Sequence, residues 1–421
     1  MVLILSIIFI IGYFLITLEN KIGINKAALA LLTGVLCWCA YLFMASDSHL
    51  VSEQLMHHLS EISGILFFLL GAMTIVELID AHDGFHIIIT AIKTTNKRKL
   101  LWILCIITFL LSAVLDNLTT TILMVSLLRK IIPDKNDRWL FLGLVIIAAN
   151  AGGAWSPIGD VTTTMLWIGG QITGVNIIMK LIIPSAICLL VPLTIASLRL
   201  KGNIQTLTKE VSISVVSKYH RYIIFFSGIG VLLGVPLFKS VTHLPPFMGM
   251  LLGLGILWII SEIIHKDKDT DDKDALSVVY ALRKIDTPSI LFFLGILVAI
   301  SALQSAGVLT QFAEFLDRNV GSESLVVMII GLFSAIVDNV PLVAASIGMY
   351  DLSQYPTDHF FWQFLALSTG TGGSALIIGS AAGVAVMGME NMDFFWYLKN
   401  ISWLALIGFF AGAITFIAFF S

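Results

Sequence analysis

Apolar residues in this chain run on for long enough to cross a lipid bilayer, and they do so repeatedly. The stretches 100–115, 140–149 and 401–420 show the pattern. Several runs approach or exceed the roughly 17–25 residues that carry a helix across a membrane. A soluble fold of 421 residues has too little interior to hide a composition 58% hydrophobic and 12% charged, where an ordinary soluble protein is roughly 25% charged. The chain is therefore expected to be an all-α polytopic membrane protein. Its net charge of −3 argues against a nucleic-acid partner. Cys37, Cys39, Cys105 and Cys188 all lie in apolar stretches, without metal or redox spacing, and read as small buried hydrophobes.

Hydropathy places spans at 2–18, 27–45, 62–80, 100–132 (broken near its middle), 139–168 (with an internal break) and 176–198. The stretch 2–18 has no basic residue before it and no cleavage signature after it, so it reads as a first span. A polar linker at 199–221 follows. Spans then recur at 222–238, 246–264 and 288–304, with broken segments at 324–350 and 360–387 and a last span at 402–420.

This recurrence is an internal repeat. Leu-Ser-Ala-Val-Leu-Asp-Asn-Leu at 111–118 matches Phe-Ser-Ala-Ile-Val-Asp-Asn-Val at 333–340, and every difference exchanges one apolar residue for another. Gly152 and Gly153 match Gly372 and Gly373, Gly71 matches Gly295, and Trp38 matches Trp258. Repeat 1 is thus 1–198 and repeat 2 is 222–421.

The polar Asp-Asn inside 100–132 and 324–350 fits either a kinked span or a re-entrant hairpin. Charge placement arbitrates. With hairpins, each repeat crosses five times, an odd number, so the repeats are inverted. All 24 Lys and Arg residues except Lys180, Lys239 and Arg318 then fall on one side. The positive-inside rule makes that side cytoplasmic and leaves both termini outside. The stretch 81–92 is too short to span and reads as an interfacial helix, with 308–318 as its counterpart. The histidines fall mostly in connecting segments and read as solvated groups.

Asp116, Asp160 and Asp338 would lie near mid-membrane, where an unpaired charge costs at least ~2.5–3.5 kcal/mol. No Lys or Arg occurs in 100–128, 139–179 or 319–398, so no cation close in sequence pairs with them. Either they are protonated or a bound cation neutralises them, and competition between the two is exchange in miniature. The breaks offer further ligands: free backbone groups at the hairpin tips and the amides of Asn117 and Asn339. In the first broken helix, 150–160, Asn150 precedes a Gly-rich unwinding. Ser156 reads as the N-cap of the restart, with Pro157 at its first position and Asp160 one turn in. Thr162 adds a hydroxyl, and Thr119 either joins the site or bonds back to its own helix. The second broken helix keeps the glycines and offers Thr371 and Ser374, but Ser380 stands where the first has Asp160. Hard oxygen ligands without thiols or imidazoles suit Na⁺ or Li⁺. The site is thus expected to bind Na⁺ at Asp116, Asp160 and Asp338. No cofactor beyond the transported Na⁺, Li⁺ and H⁺, and no enzymatic activity, is expected. Asp286, before Thr287 and Pro288, reads as a helix N-cap.

The two Asp-Asn tips, 150–160 and the paired Gly-rich breaks resemble the NhaD-type Na⁺/H⁺ antiporters of the ion transporter superfamily. The resemblance covers nearly the whole chain. It implies a scaffold (2–80 and 222–304) and a transport part (hairpins 100–132 and 324–350, broken helices 139–168 and 360–387). It further implies elevator-like movement, a homodimer and an inner (plasma) membrane location. Asp116, Asn150, Asp160, Asp286, Thr287, Ser334 and Asn339 would then matter to exchange. The rival within the superfamily is a Na⁺-coupled carboxylate or arsenite-type anion transporter. Dicarboxylate relatives carry Ser-Asn-Thr at the tips, and Asp in place of that Ser would repel an anion. An intramembrane aspartyl protease does not fit, because the Gly-x-Gly-Asp motif is missing and the aspartates come in the reverse order.

Overall fold

The computed structural model describes residues 2–45, 47–85, 87, 94–204, 217–266 and 276–420. Among them the fold is helical, apart from an isolated antiparallel bridge between Asn96 and Asn203. The first half holds α1 (Val2–Thr17), the single turn α2 (Glu19–Ile22), α3 (Lys26–Met44), α4 (Ser48–Ala81), α5 (Lys97–Leu115), α6 (Asn117–Ile131), α7 (Lys135–Ala154), α8 (Val161–Ile168) and α9 (Gly174–Arg199). The second half holds α10 (Lys218–Thr242), α11 (Pro246–Ile264), α12 (Val278–Lys284), α13 (Thr287–Ser305), α14 (Val308–Val320), α15 (Glu323–Phe333), α16 (Asn339–Met349), α17 (Phe360–Gly372) and α18 (Ala381–Glu390). It ends in α19 (Phe394–Phe420), which contains a π-helical stretch at Leu398–Ser402. Eight of the described helices are long and apolar enough to cross a membrane. This is a polytopic membrane protein.

Helix starts follow local chemistry. The side chains of Asn25, Asp47, Asn96, Asp134, Ser217 and Asp286 each accept a backbone N–H from the first turn that follows. The Asp47 cap corrects the expected span at 62–80, because α4 begins at Ser48 and its first four turns carry His49, Glu53, His57, His58 and Glu61. Charged groups depress a hydropathy window, yet a helix bearing them on an exposed face continues without a break. His49, His57 and His58 are therefore helical. His82 and His265 are buried against each other, with Nε2 atoms 2.8 Å apart. Cys39 is exposed, whereas Cys37, Cys105 and Cys188 are buried. Of the stretch 81–92, residues 86 and 88–92 fall outside the described residues; 308–318 is helical within α14.

The helices pack as two groups. In one, α1, α3, α4, α10, α11 and α13 lie together, with α3 against α13 and α11 against α4. In the other, α5 to α9 pack with α15 to α19. Close approach requires small residues: Gly34 and Gly295 let α3 and α13 touch backbone to backbone.

Ion pairs show that α5 and α6 double back. Lys97 at the start of α5 meets Asp137 at the start of α7, 2.5 Å apart. Arg129 near the end of α6 and Arg138 in α7 both hold Glu390 at the end of α18. Both ends of the α5–α6 pair therefore sit at the same end of α7, and Asp116 is the tip between them. In the second half, Tyr350 beyond α16 donates to Asp317 at 3.1 Å, in the last turn of α14, which leads into α15, and its ring packs edge-on against Phe361 at the start of α17. The α15–α16 pair thus also doubles back.

Candidate functional site

The site grows from two helix breaks and two hairpin tips. In the first half α5 ends at Leu115, and Asp116 turns the chain with φ 82°, a conformation costing a non-glycine residue roughly 1–3 kcal/mol. The turn lets Asp116 cap α6: Oδ1 accepts the Thr119 N–H at 2.7 Å and Oδ2 accepts the Thr119 hydroxyl at 2.8 Å. Thr119 thus bonds to the carboxylate and not to its own helix backbone. In the second half Asp338 caps α16 through the Val340 N–H at 3.3 Å.

The broken helix needs one correction. The second half-helix starts at Val161, and its N-cap is Asp160, which accepts the Thr162 N–H at 3.0 Å. Ser156 instead accepts the Ile158 N–H at 3.3 Å within the unwound stretch. In the unwound stretch before the restart, Gly159 packs so closely on the backbone of Ser112, Ala113 and Gly153 that a Cβ there would fall within 3 Å of all three. The second copy follows suit: Gly379 is wedged against Ala335 and Gly373, and Ser380 caps α18.

These pieces meet in a buried polar network. The Asn117 amide donates to Asn150 Oδ1 at 3.1 Å and to Asp160 Oδ2 at 3.0 Å. The Asn339 amide reaches the same Asp160 oxygen at 3.3 Å. Asn150 in turn donates to the hydroxyls of Ser374 and Ser380, both at 2.9 Å. Both tips and both broken helices are therefore tied through Asn150 and Asp160, each almost wholly buried. Asp116 and Asp160 line one small, mainly apolar cleft, together with Thr164, Phe68, Met73, Leu232 and Met250. Asp338 is not part of that lining. Among the described residues no three His, Cys, Asp or Glu side chains gather closely enough to hold a single ion.

The remaining candidates lie around this network. Ser334 donates to the carbonyls of Gly331 and Thr369, binding α15 to α17. Ser112 does the same for α5 and α7 through the Ala149 carbonyl at 2.6 Å. Thr371 bonds back to Leu367 in its own helix. Asp286 and Thr287 bond within their own turn at the start of α13. Sequence reasoning missed Ser380 and Ser112 as network residues, although the repeated octapeptide contains Ser112 and its partner Ser334. It also missed Tyr13, whose hydroxyl oxygen accepts the Asp338 N–H at 3.0 Å from a helix far away in sequence.

Comparison with known proteins follows the same lines. The citrate transporter family model, CitMHS, matches residues 7–370. Sodium/proton antiporter 2 of Arabidopsis thaliana is 48% identical over 419 residues, covering 98% of this chain and 99% of the relative. Sodium/proton antiporter 1 of the same plant is 48% identical over 98% of this chain and 72% of its own length. The Na⁺/H⁺ antiporter NhaD of Vibrio cholerae is 30% identical over 95% of this chain and 88% of its own length. By that coverage, the chain belongs to the citrate transporter family of membrane transporters and, within it, to the NhaD-type group.

Proposed function

We propose that this protein is a secondary active Na⁺/H⁺ antiporter that exchanges cytoplasmic Na⁺, and also Li⁺, for external H⁺. The observation that carries this reading is the shared cleft of Asp116 and Asp160, whose lining contains no basic residue. Two carboxylates in an apolar cleft need an added positive charge. A proton or a small hard cation supplies it, and each excludes the other. Antiporters of two kingdoms among the similar proteins support the reading. Asp116 and Asp160 are the ligands on which exchange turns, with Thr119 holding Asp116 and Asn117, Asn339 and, through Asn117, Asn150 ordering Asp160. In this reading the two halves are inverted repeats of five crossings each. The group of α1, α3, α4, α10, α11 and α13 is the scaffold, and the hairpins and broken helices travel along it as an elevator. Discontinuous helices meeting at a repeat interface are a recurrent transporter design. A homodimer in the plasma membrane, both termini outside the cytoplasm, completes the proposal.

The family's name keeps a second reading in view, Na⁺-coupled uptake of a carboxylate. One experiment separates them. Inside-acid proteoliposomes carrying a pH dye receive NaCl, LiCl, KCl and a dicarboxylate in turn. Loss of the gradient on Na⁺ and Li⁺, and not on dicarboxylate, is the expected result. Asp116→Asn and Asp160→Asn should each abolish the Na⁺ response with expression intact. Wild-type exchange in both variants would remove them from the site.

A further inference from the structure

The walls of the Asp116–Asp160 cleft come from both groups of helices. The carboxylates and Thr164 belong to the first hairpin and α8, whereas Phe68 and Met73 of α4, Leu232 of α10 and Met250 of α11 line it without an oxygen among their side chains. The cleft has a volume of about 20 Å³. Since roughly 10–15 Å³ suffices for a single water, one small body fills it. Met250 owes its place there to Gly71: a Cβ built on Gly71 would stand 2.6 Å from Met250 Cγ and 3.7 Å from Met250 Cβ. The wholly buried methionine side chain therefore lies across a point of α4 that carries no side chain. The internal repeat shows that this arrangement is particular to the cleft. Gly295 of α13 is the counterpart of Gly71, and the correspondence of Trp38 with Trp258 pairs Met250 with Ala30 of α3. A Cβ on Gly295 would fall 2.4 Å from the Ala30 carbonyl carbon, so those two helices close backbone to backbone. At Gly71 the nearest backbone atom of α11, the Met250 carbonyl carbon, lies 3.9 Å from such a Cβ, and the methionine side chain fills the difference.

We propose that Met250 is a specificity-determining residue: seated on Gly71, its side chain sets the width of the cleft and so decides which alkali cation the two carboxylates accept. A thioether is too soft to ligate Na⁺ or Li⁺, so Met250 contributes volume and not a ligand. Room and the number of oxygens within reach discriminate between hard cations. With the methionine in place the cleft suits a small cation and excludes the larger K⁺. This inference deepens the antiport reading and rests on it for its transport consequences, but not for the choice of cation bound.

The test compares Met250→Ala, Met250→Val, Met250→Leu, Gly71→Ala and the double variant Gly71→Ala/Met250→Ala. Two readouts are taken for LiCl, NaCl and KCl: the apparent KM for cation-driven exchange in proteoliposomes, and the rise in melting temperature of the purified protein that each salt brings over choline chloride, which reports binding without transport. Met250→Ala should lower the KM for K⁺ relative to Na⁺ several-fold and weaken the preference for Li⁺. Met250→Val, a smaller removal, should shift the ratios in the same direction by less, which keeps a result in hand if the alanine variant does not fold. Met250→Leu keeps the volume, loses the sulfur and should keep the wild-type ratios. Gly71→Ala should change the Li⁺ to Na⁺ ratio by displacing the methionine, and the double variant should match Met250→Ala alone, because the displaced side chain is gone. A methionine that only packs two helices together would change all three KM values by one factor. That uniform change, or a Gly71→Ala effect that persists in full in the double variant, overturns the proposal. If wild type exchanges no cation for protons while salt protection still changes its cation order with Met250, the antiport reading fails and the role of Met250 stands.

Discussion

Asn150 is the residue on which the buried network depends most, because its amide accepts from Asn117 and donates to Ser374 and Ser380. Asn150→Ala would leave those three groups short of a partner in the protein interior, at about 1–3 kcal/mol for each group left wholly unsatisfied. The expected outcome is a lowered melting temperature together with lost exchange; a variant that keeps both would show that water or rearranged neighbours replace the amide at no cost. The residues of this network were largely legible in the sequence, because a carboxylate or amide in an apolar run has few bland explanations. Asp116, Asn117, Asn150, Asp160 and Asn339 all come together. The role of Ser156 was not legible, since Ser before Pro suggests a cap whether or not the helix restarts there. Tyr13 was hidden for another reason: it meets the Asp338 N–H from a distant helix, and a partner supplied that way leaves no mark in the local run.

At the scale of the elements, glycines decide how near a tip comes to its broken helix. A Cβ on Gly159 would stand 2.8 Å from the Ser112 carbonyl oxygen and 2.9 Å from Ala113 Cα. Both are backbone atoms and cannot swing away. Gly159→Ala should therefore push the first hairpin off the unwound stretch, at about 1–3 kcal/mol of overpacking, and weaken Na⁺-driven exchange with it. A crowded but working variant, with unchanged melting and transport, would show that the contact is not needed. Helix existence was legible from hydropathy, and boundaries failed where charges sit on a continuing helix, as in α4. The doubling back of α5 and α6 rests on pairs such as Lys97 with Asp137 and Arg129 with Glu390. These pairs join residues far apart in sequence, and charge placement alone could only point to them indirectly.

For the whole molecule, the question is whether the hairpins move against the other helices. The second hairpin meets α13 and α14 where Gly348 of α16 lies beside Gln304 and Leu309: a Cβ built on Gly348 falls 3.2 Å from Gln304 Cδ. Cysteines at Gly348 and Gln304, in a background without Cys37, Cys39, Cys105 and Cys188, can thus be joined by a short thiol cross-linker. If the hairpin travels past α13 during each cycle, as an elevator requires, the joined protein should be unable to complete the cycle. Exchange should then stop on cross-linking and return on reduction, while the same protein before cross-linking transports normally. A passive pathway between fixed helices makes the opposite demand, since locking two neighbours at their observed separation leaves such a pathway open. Ion flux that persists in fully cross-linked protein would therefore rule out movement at this boundary. If the hairpins do travel, the polar network tying both tips to both broken helices makes them travel together. A body whose tips and breaks share hydrogen bonds through Asn150 and Asp160 cannot shift one hairpin alone without breaking buried bonds, so arrest at Gly348 should arrest the Asp116 cleft as well.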